Sequence, residues 1–569
     1  MSTLDWIVLL TTLAFIVFYG IYKSRGNKDI QGYLLGNKSM KWYMVGFSVM
    51  ATQASAITFL SAPGQAYTDG MRFVQFYFGL PLAMIVLCIS VIPVFHRMKV
   101  FTAYEYLENR FDLKTRALGA FLFLVQRGIA AGLTIYAPAI ILSSLLGWNI
   151  YLTNIFIGGL VIIYTVSGGT RAVSYTQLGQ MIIILSGMGL AGYLLVQMLP
   201  RDVSFINAIE VAGKLGKMNV VDLEFDPDNR YNLWSGLIGG FFLALSYFGT
   251  DQSQVARYLS GRSISEIRLG MLFNGIVKIP MQFSILLIGA IMFVFFQFNT
   301  PPVFFNGMEV EKARQGVYAD EFTTIEKDWY DIQEEKKEHV SSLAKGIREN
   351  DQELIVSQQL RISQLNSEAA SIREQAVGTI VKNNPAADTN DTNYIFLTYV
   401  INYLPVGVIG LLIAVIFAAS MSSTSSELNA LASTSLVDIY KRMIRKDGSD
   451  RHYLVASKLI TVAWGIYAIM VAQFANQLGS LIEAVNILGS LFYGTILGIF
   501  VAGFYFKKLD GHSVFAGAVI AESFVVAGYL FTDISFLWFN LIGCFLVVFF
   551  AYIFQQFMNN KKAGQTDRP

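Results

Sequence analysis

The chain has 569 residues, of which 54% are hydrophobic and only 14% are charged. Soluble domains carry roughly 25% charged residues, so this composition excludes an ordinary cytosolic enzyme. Forty-two basic against forty acidic residues leave a net charge of +2, too balanced for a nucleic-acid binder with its basic stripe.

A bilayer core about 30 Å thick requires roughly 20 apolar residues per helix. Read in chain order with that ruler, the sequence gives thirteen spans: 4–22, 42–62, 73–95, 118–146, 149–166, 172–199, 232–259, 270–298, 398–436, 454–473, 479–506, 513–531 and 535–557. The expected fold class is an all-α, multi-pass integral membrane protein of a plasma membrane, read as a bacterial inner membrane. The first span is preceded by no basic residue and followed by no small-residue cleavage site, so it reads as a membrane helix and not a secretory signal. Short loops concentrate basic residues on one side: Lys23, Arg25, Lys28, Lys38 and Lys41; Arg97, Lys99, Arg110, Lys114 and Arg116; Lys441, Arg442, Arg445, Lys446 and Arg451; and Lys561 with Lys562. The positive-inside rule then puts the N-terminus outside and the C-terminus inside, as an odd span count requires.

Residues 300–395 break the apolar pattern. Trp329, Ile332, Val340, Leu343, Ile347, Ile362, Leu365 and Ile372 recur at helical spacing in a charged background, which predicts amphipathic helices and a hairpin broken near Gly346–Asp351. The chain thus divides into a membrane part over 1–299, an extracytoplasmic helical insert over 300–395, a second membrane part over 396–557 and a cytoplasmic tail over 558–569.

Polar residues and breakers at membrane depth are tolerated where they line protein or water. Span two carries Thr52-Gln53-Ala54-Ser55 and Thr58, followed by Pro63-Gly64; span seven carries Gly249-Thr250-Asp251-Gln252-Ser253-Gln254. The two lie five spans apart, as corresponding broken helices of two inverted repeats would. With the first span set aside they become core helices one and six of a five-plus-five repeat. Span nine is the most polar, from Ala418 through Ser420, Ser422, Ser423, Thr424, Ser425 and Ser426 to Asn429. Hydroxyls beside carbonyls freed by an unwound helix are neutral oxygen ligands for a hard monovalent cation. Such residues also act as glue between helices or bond back to their own carbonyls, and the residues alone leave these roles open.

Ionisable groups inside spans are functional candidates; four stand out, Arg127, Lys278, Glu427 and Glu483. A guanidinium fork matches a carboxylate, so Arg127 reads either as a ligand for an acid or as half of a structural pair. Gly187-Met-Gly189-Leu-Ala-Gly192 fits GxGxxG but lies in an apolar span without a βαβ context. Cys88 and Cys544 form no zinc or disulfide pattern. With no Walker loop or GxSxG, no enzymatic activity is expected.

These motifs together resemble the sodium:solute symporter family: Ala51–Ala56 with Pro63-Gly64-Gln65-Ala66-Tyr67, Thr102-Ala-Tyr-Glu105 through Phe111, Tyr164 through Gln180, Gly249-Thr-Asp-Gln252 through Leu259, and Ala418–Asn429 with Asp438-Ile439-Tyr440. The resemblance covers nearly all of 1–557 outside the insert. It implies a leucine-transporter-type core, Na+ as coupling ion with no other cofactor, and a small-molecule solute as cargo. It implies sodium ligands at Ala51, Ala54, Ala419, Ser422 and Ser423. A second ion in some members uses three serines and an aspartate. Ser422, Ser425 and Ser426 match, but Thr176-Gln177 stands where that aspartate would be, so Gln177 weakens the site. Substrate contacts are implied at Gln53, Thr58, Gln75, Arg127, Asp251, Gln252 and Lys278, with an organic anion or a sugar as cargo. Sodium, solute and bilayer are the expected partners, with no nucleic acid and no obligate protein partner. Proton coupling, or a non-transporting sensor acting through the insert, stand as alternatives.

Overall fold

The computed structural model describes residues 1–24 and 39–566, with side chains except at 17, 19–24, 167–176, 476 and 560–566. The basic residues Arg25, Lys28 and Lys38, and the side chains of Lys23, Thr176, Lys561 and Lys562, lie outside that description. All regular structure among the described residues is helical, and their one β contact is an isolated bridge between Met40 and Gly261.

In chain order the first elements are α1 (Thr3–Ser24), α2 (Trp42–Gln53), α3 (Ala56–Asp69), α4 (Leu80–Ile89), α5 (Val91–Met98), α6 (Glu105–Arg110), α7 (Leu113–Leu146) and α8 (Ile150–Gln197). Next come α9 (Phe205–Lys214), α10 (Gly240–Thr250), α11 (Gln252–Tyr258), α12 (Ile264–Phe298), α13 (Gly307–Gln315), α14 (Ala319–Glu349) and α15 (Gln352–Asn383). The last are α16 (Thr392–Tyr403), α17 (Val408–Thr434), α18 (Asp450–Ala472), α19 (Leu481–Tyr505), α20 (Gly511–Phe531) and α21 (Trp538–Thr566). Nine stretches among the described residues are long and apolar enough to cross a membrane, and three shorter apolar helices accompany them.

The sequence explains where the long helices start. Asp112 caps α7 by accepting the Thr115 N–H at 2.8 Å, and Ser263 caps α12 by accepting the Glu266 N–H at 3.3 Å; each satisfies an orphan donor of the first turn. Helix α7 ends at Gly147, whose φ of 65° is the left-handed conformation glycine adopts freely. Helices α3 and α12 meet closely because Gly289 has no side chain: a Cβ there would collide with the Pro63 carbonyl.

Three of the expected spans look different in the structure. The ninth, 398–436, is two helices, because Pro405 forces Leu404 into an extended conformation (ψ 151°) and Gly407 turns the chain with φ 90°. The fifth and sixth, expected as 149–166 and 172–199, run on as the single 48-residue α8. No proline lies between them, and glycine lowers helix propensity without forbidding the helix.

The insert forms a helical hairpin. Asn350 ends α14 with φ 55°, and the Asp351 carboxylate accepts the Leu354 N–H at 3.0 Å to start α15. Phe322, Ile325, Trp329 and Ile332 bury against Leu365, Ala369, Ala376 and Ile380 in a small core of their own. Nearer the turn, Val340, Leu343, Ala344 and Ile347 join the main core, and Asn207 of α9 donates to the Ala344 carbonyl at 3.4 Å.

Candidate functional site

Two membrane helices are interrupted. Between α2 and α3, Ala54 (φ −85°, ψ 75°) and Ser55 (φ −77°, ψ 176°) leave helical geometry. Between α10 and α11, Asp251 alone is extended (φ −76°, ψ 119°). Its carboxylate caps the new helix by accepting the Ser253 N–H at 2.8 Å and the Ser253 hydroxyl at 2.6 Å.

The other Asp251 oxygen reaches α7. Arg127 donates from Nε to Asp251 Oδ2 at 3.1 Å and pairs with it again through Nη2. Arg127 Nη1 donates to Glu427 Oε1 of α17 at 3.1 Å, and the Tyr493 hydroxyl of α19 donates to Asp251 at 2.8 Å. Thr134, two turns along α7 from Arg127, donates to Glu427 Oε2 at 2.6 Å. The guanidinium also lies 5.4 Å from the Tyr247 ring centroid. Arg127, Asp251 and Glu427 are 3%, 1% and 6% exposed. Buried charges persist only when paired and hydrogen-bonded, and this cluster meets that condition across four helices. With both carboxylates ionised it carries a net charge of −1, so acid groups outnumber the base.

Arg127 forms one wall of a cavity of about 90 Å³. Gln53, Ser55 and Thr58 line it from the first break, Tyr247 and Tyr493 from α10 and α19, and Ile482 and Asn486 from the start of α19. Gln53 Oε1 has no hydrogen-bond partner among the described residues. The cavity thus joins a broken helix with an uncommitted amide oxygen to an arginine already held by acids.

The serine-rich turn of α17 stands beside the first break. Gln177 of α8 donates to Thr52 Oγ1 at 3.2 Å and to Ser426 Oγ at 3.3 Å, and accepts from Ser48 at 2.6 Å. One amide therefore ties the end of α2 to α17. Ser423 donates to the Ala419 carbonyl at 3.0 Å and Ser426 to the Ser422 carbonyl at 2.8 Å. Ser422 Oγ and Ser425 Oγ are buried with no partner among the described residues. Orphaned buried hydroxyls call for an explanation, and both stand at positions where the family resemblance implies cation ligands.

The remaining substrate candidates are elsewhere. Gln75 is spent on the 222–231 segment: it donates to the Tyr231 carbonyl and accepts the Asp222 N–H, both at 3.0 Å. Gln252 accepts the Ala103 N–H at 3.0 Å and donates to the Phe101 carbonyl at 2.8 Å. It clips α11 to the segment whose Thr102 holds Asp438 at 2.7 Å. Lys278 is fully buried, with Nζ 5.5 Å from the Tyr77 ring centroid, and does not itself line the cavity, whereas Tyr77 does. Glu483 pairs with Arg230 at 2.5 Å, away from the Arg127 cluster. Sequence reading missed Thr134, Tyr247 and Tyr493. Thr134 had a signal, since seven residues from Arg127 is two helical turns on one face; the tyrosines had none within aromatic-rich spans.

The sequence model of the sodium:solute symporter family matches residues 33–316 and 373–521. A sodium/sialic acid symporter of Aliivibrio fischeri is 25% identical over all of this chain and 96% of its own length. The human sodium/iodide cotransporter is 24% identical over 90% of this chain, which spans 66% of that longer protein. A solved substrate-bound, outward-open sodium-coupled sialic acid symporter superposes with a TM-score of 0.75 over 98% of both chains at 23% identity, which establishes a shared fold.

Proposed function

The chain belongs to the sodium:solute symporter family, whose members are transporters and not enzymes, and from that premise we propose that it imports a small polar solute by sodium-coupled symport with alternating access. Sodium binds between the first helix break and α17, on the carbonyls of Ala51, Ala54 and Ala419 and the hydroxyls of Ser422 and Ser423. Gln177 fills the place of a second ion, because its amide N–H groups point at Thr52 and Ser426 and repel a cation. The proposed stoichiometry is one sodium per solute. The five-plus-five architecture, the outside N-terminus, the extracytoplasmic insert over 300–395 and a bacterial inner-membrane location belong to the same reading.

One observation carries the choice of solute. Arg127 faces the cavity already paired with Asp251 and Glu427, so the guanidinium is internally neutralised. A solute carboxylate would compete with two resident ones, and the excess negative charge would repel it. A neutral, hydrogen-bonding solute such as a sugar or polyol fits better than the organic anion expected from Arg127 alone. Gln53, Thr58 and Asn486 supply its hydrogen bonds, and Tyr77, Tyr247 and Tyr493 its stacking faces.

The energetics agree. One charge crossing 100 mV contributes about 2.3 kcal/mol, and a tenfold sodium gradient adds roughly 1.4 kcal/mol. One sodium therefore concentrates a neutral solute several-hundred-fold, whereas an anion would forfeit the electrical part. Thermal unfolding of the purified protein in sodium against potassium, over sugars, polyols, carboxylates, sialic acids and amino acids, tests the reading. A ligand at a hundredfold excess over its Kd stabilises by about 2.7 kcal/mol. Stabilisation by a neutral solute in sodium alone supports it, and sodium-dependent stabilisation by carboxylates alone contradicts it.

A proton-coupled variant draws on the same carboxylate excess, since Asp251 and Glu427 share one base. Uptake in potassium buffer under an acid-outside gradient would establish that variant instead.

A further inference from the structure

We propose that the outer cavity between the insert and the α7–α8 turn is a second binding site, for a small organic cation carrying an amine or ammonium group. The cavity, of about 450 Å³, is walled by Tyr136, Trp148, Tyr151 and Tyr394 from α7, the following turn, α8 and α16, with Glu309 and Asp388 from either side of the hairpin. Aromatic faces attract cations through their quadrupole, and rings from four separate elements converge here.

The charges choose the sign of the occupant. Glu309 is satisfied: Lys312 Nζ lies 2.7 Å away and Asn384 donates to it at 3.0 Å. Asp388 accepts the Asn390 N–H at 2.9 Å but has no cationic partner among the described residues. Asn306, 3% exposed, also lines the cavity with an Oδ1 that accepts nothing. A neutral or anionic occupant would leave the Asp388 carboxylate uncompensated, whereas an ammonium group pairs with it and presents its alkyl surface to the rings.

The position ties the site to transport. Tyr136 stands on α7, the helix that carries Arg127 and Thr134, so an occupant of the outer cavity contacts the element that organises the central cluster. It also gives the insert a role, because Asn306, Glu309 and Lys312 belong to it. The inference is independent of which solute the central cavity carries.

Burial, with Asp391 and Glu309 nearby, pushes the Asp388 carboxyl up to about 7. The other groups lining the cavity with it are Lys312 of α13, bound to Glu309, and the phenol groups of Tyr136, Tyr151 and Tyr394; Asp391 is paired with Arg373. An ammonium ligand binds the ionised form, so its affinity falls as the pH drops below about 7.

Titration calorimetry of the full chain in phosphatidylglycerol nanodiscs tests this, with tetramethylammonium chloride as probe and potassium chloride as control. The expected result is saturable binding that weakens at least tenfold in Asp388→Asn and in Trp148→Leu, and at least threefold at pH 5.5 relative to pH 8. Trp148 is 45% exposed, so its replacement tests the rings without threatening the fold. No saturable binding overturns the proposal. So does an affinity unchanged by both substitutions, the result if the rings only anchor the protein at the lipid interface. Repeating the titration in phosphatidylcholine separates two sources of the same chemistry: weakened apparent binding identifies a lipid headgroup as occupant, and unchanged binding a free solute.

Discussion

The two helix breaks use one backbone device to opposite electrostatic ends. At the first, Ala54 and Ser55 carry no charge, and the side-chain oxygen of neighbouring Gln53 is left without a partner among the described residues. At the second, Asp251 caps its own helix and grips Arg127, which grips Glu427 in turn. On the proposed function, the first keeps oxygen atoms available for an ion and a solute that come and go. The second spends its charges on holding α7, α10, α17 and α19 together. Perturbation should therefore be felt as lost stability at the second break and as lost ion affinity near the first.

Arg127→Ala is the hardest blow to that contrast. It strands two buried carboxylates, and breaking a buried pair costs about 3–5 kcal/mol; denaturation should show a loss of that size, with uptake abolished. Adding Asp251→Asn and Glu427→Gln to it should return most of the stability but not the uptake. Asp251→Asn alone is the sharper probe. Asparagine still caps a helix and leaves a balanced Arg127–Glu427 pair, so stability should change by about 1 kcal/mol or less. A larger loss would mean that the excess carboxylate is needed to hold the helices.

Near the first break, Ser422→Ala removes a hydroxyl with no partner among the described residues. Sodium half-saturation of uptake should rise about tenfold, or roughly 1.4 kcal/mol, with unfolding in potassium unchanged. Equal destabilisation in both salts would make Ser422 a packing residue. Gln177→Asp should have the smallest effect on transport rate and the most diagnostic one on its form. Restoring a carboxylate beside Ser422, Ser425 and Ser426 should turn a hyperbolic sodium dependence sigmoidal, and a dependence that stays hyperbolic would remove Gln177 as the reason for a single ion.

Much of this was legible because it is local. Polar residues and glycines interrupting apolar runs mark the breaks, and the insert's apolar spacing with Asn350-Asp351 marks its hairpin. The pairing of Arg127 with Asp251 and Glu427 was not, because those residues stand 124 and 300 positions away and periodicity says nothing about which helices face one another. Gln75 and Gln252 are substrate contacts by the family resemblance; their amides instead satisfy backbone groups of adjoining segments. The split of 398–436 could have been read from Pro405 and Gly407, but the continuity of α8 could not, since two apolar runs joined by polar residues look alike whether bent or straight.

The central claim, one sodium carried with a neutral solute past an internally neutralised arginine, meets its most direct test in solute-evoked currents across proteoliposomes. The account predicts an inward positive current that needs external sodium, appears with a neutral polar solute and moves one charge per solute taken up. Electroneutral, sodium-dependent uptake of a carboxylate would contradict it, because Arg127 would then have exchanged its resident acids for the solute's own.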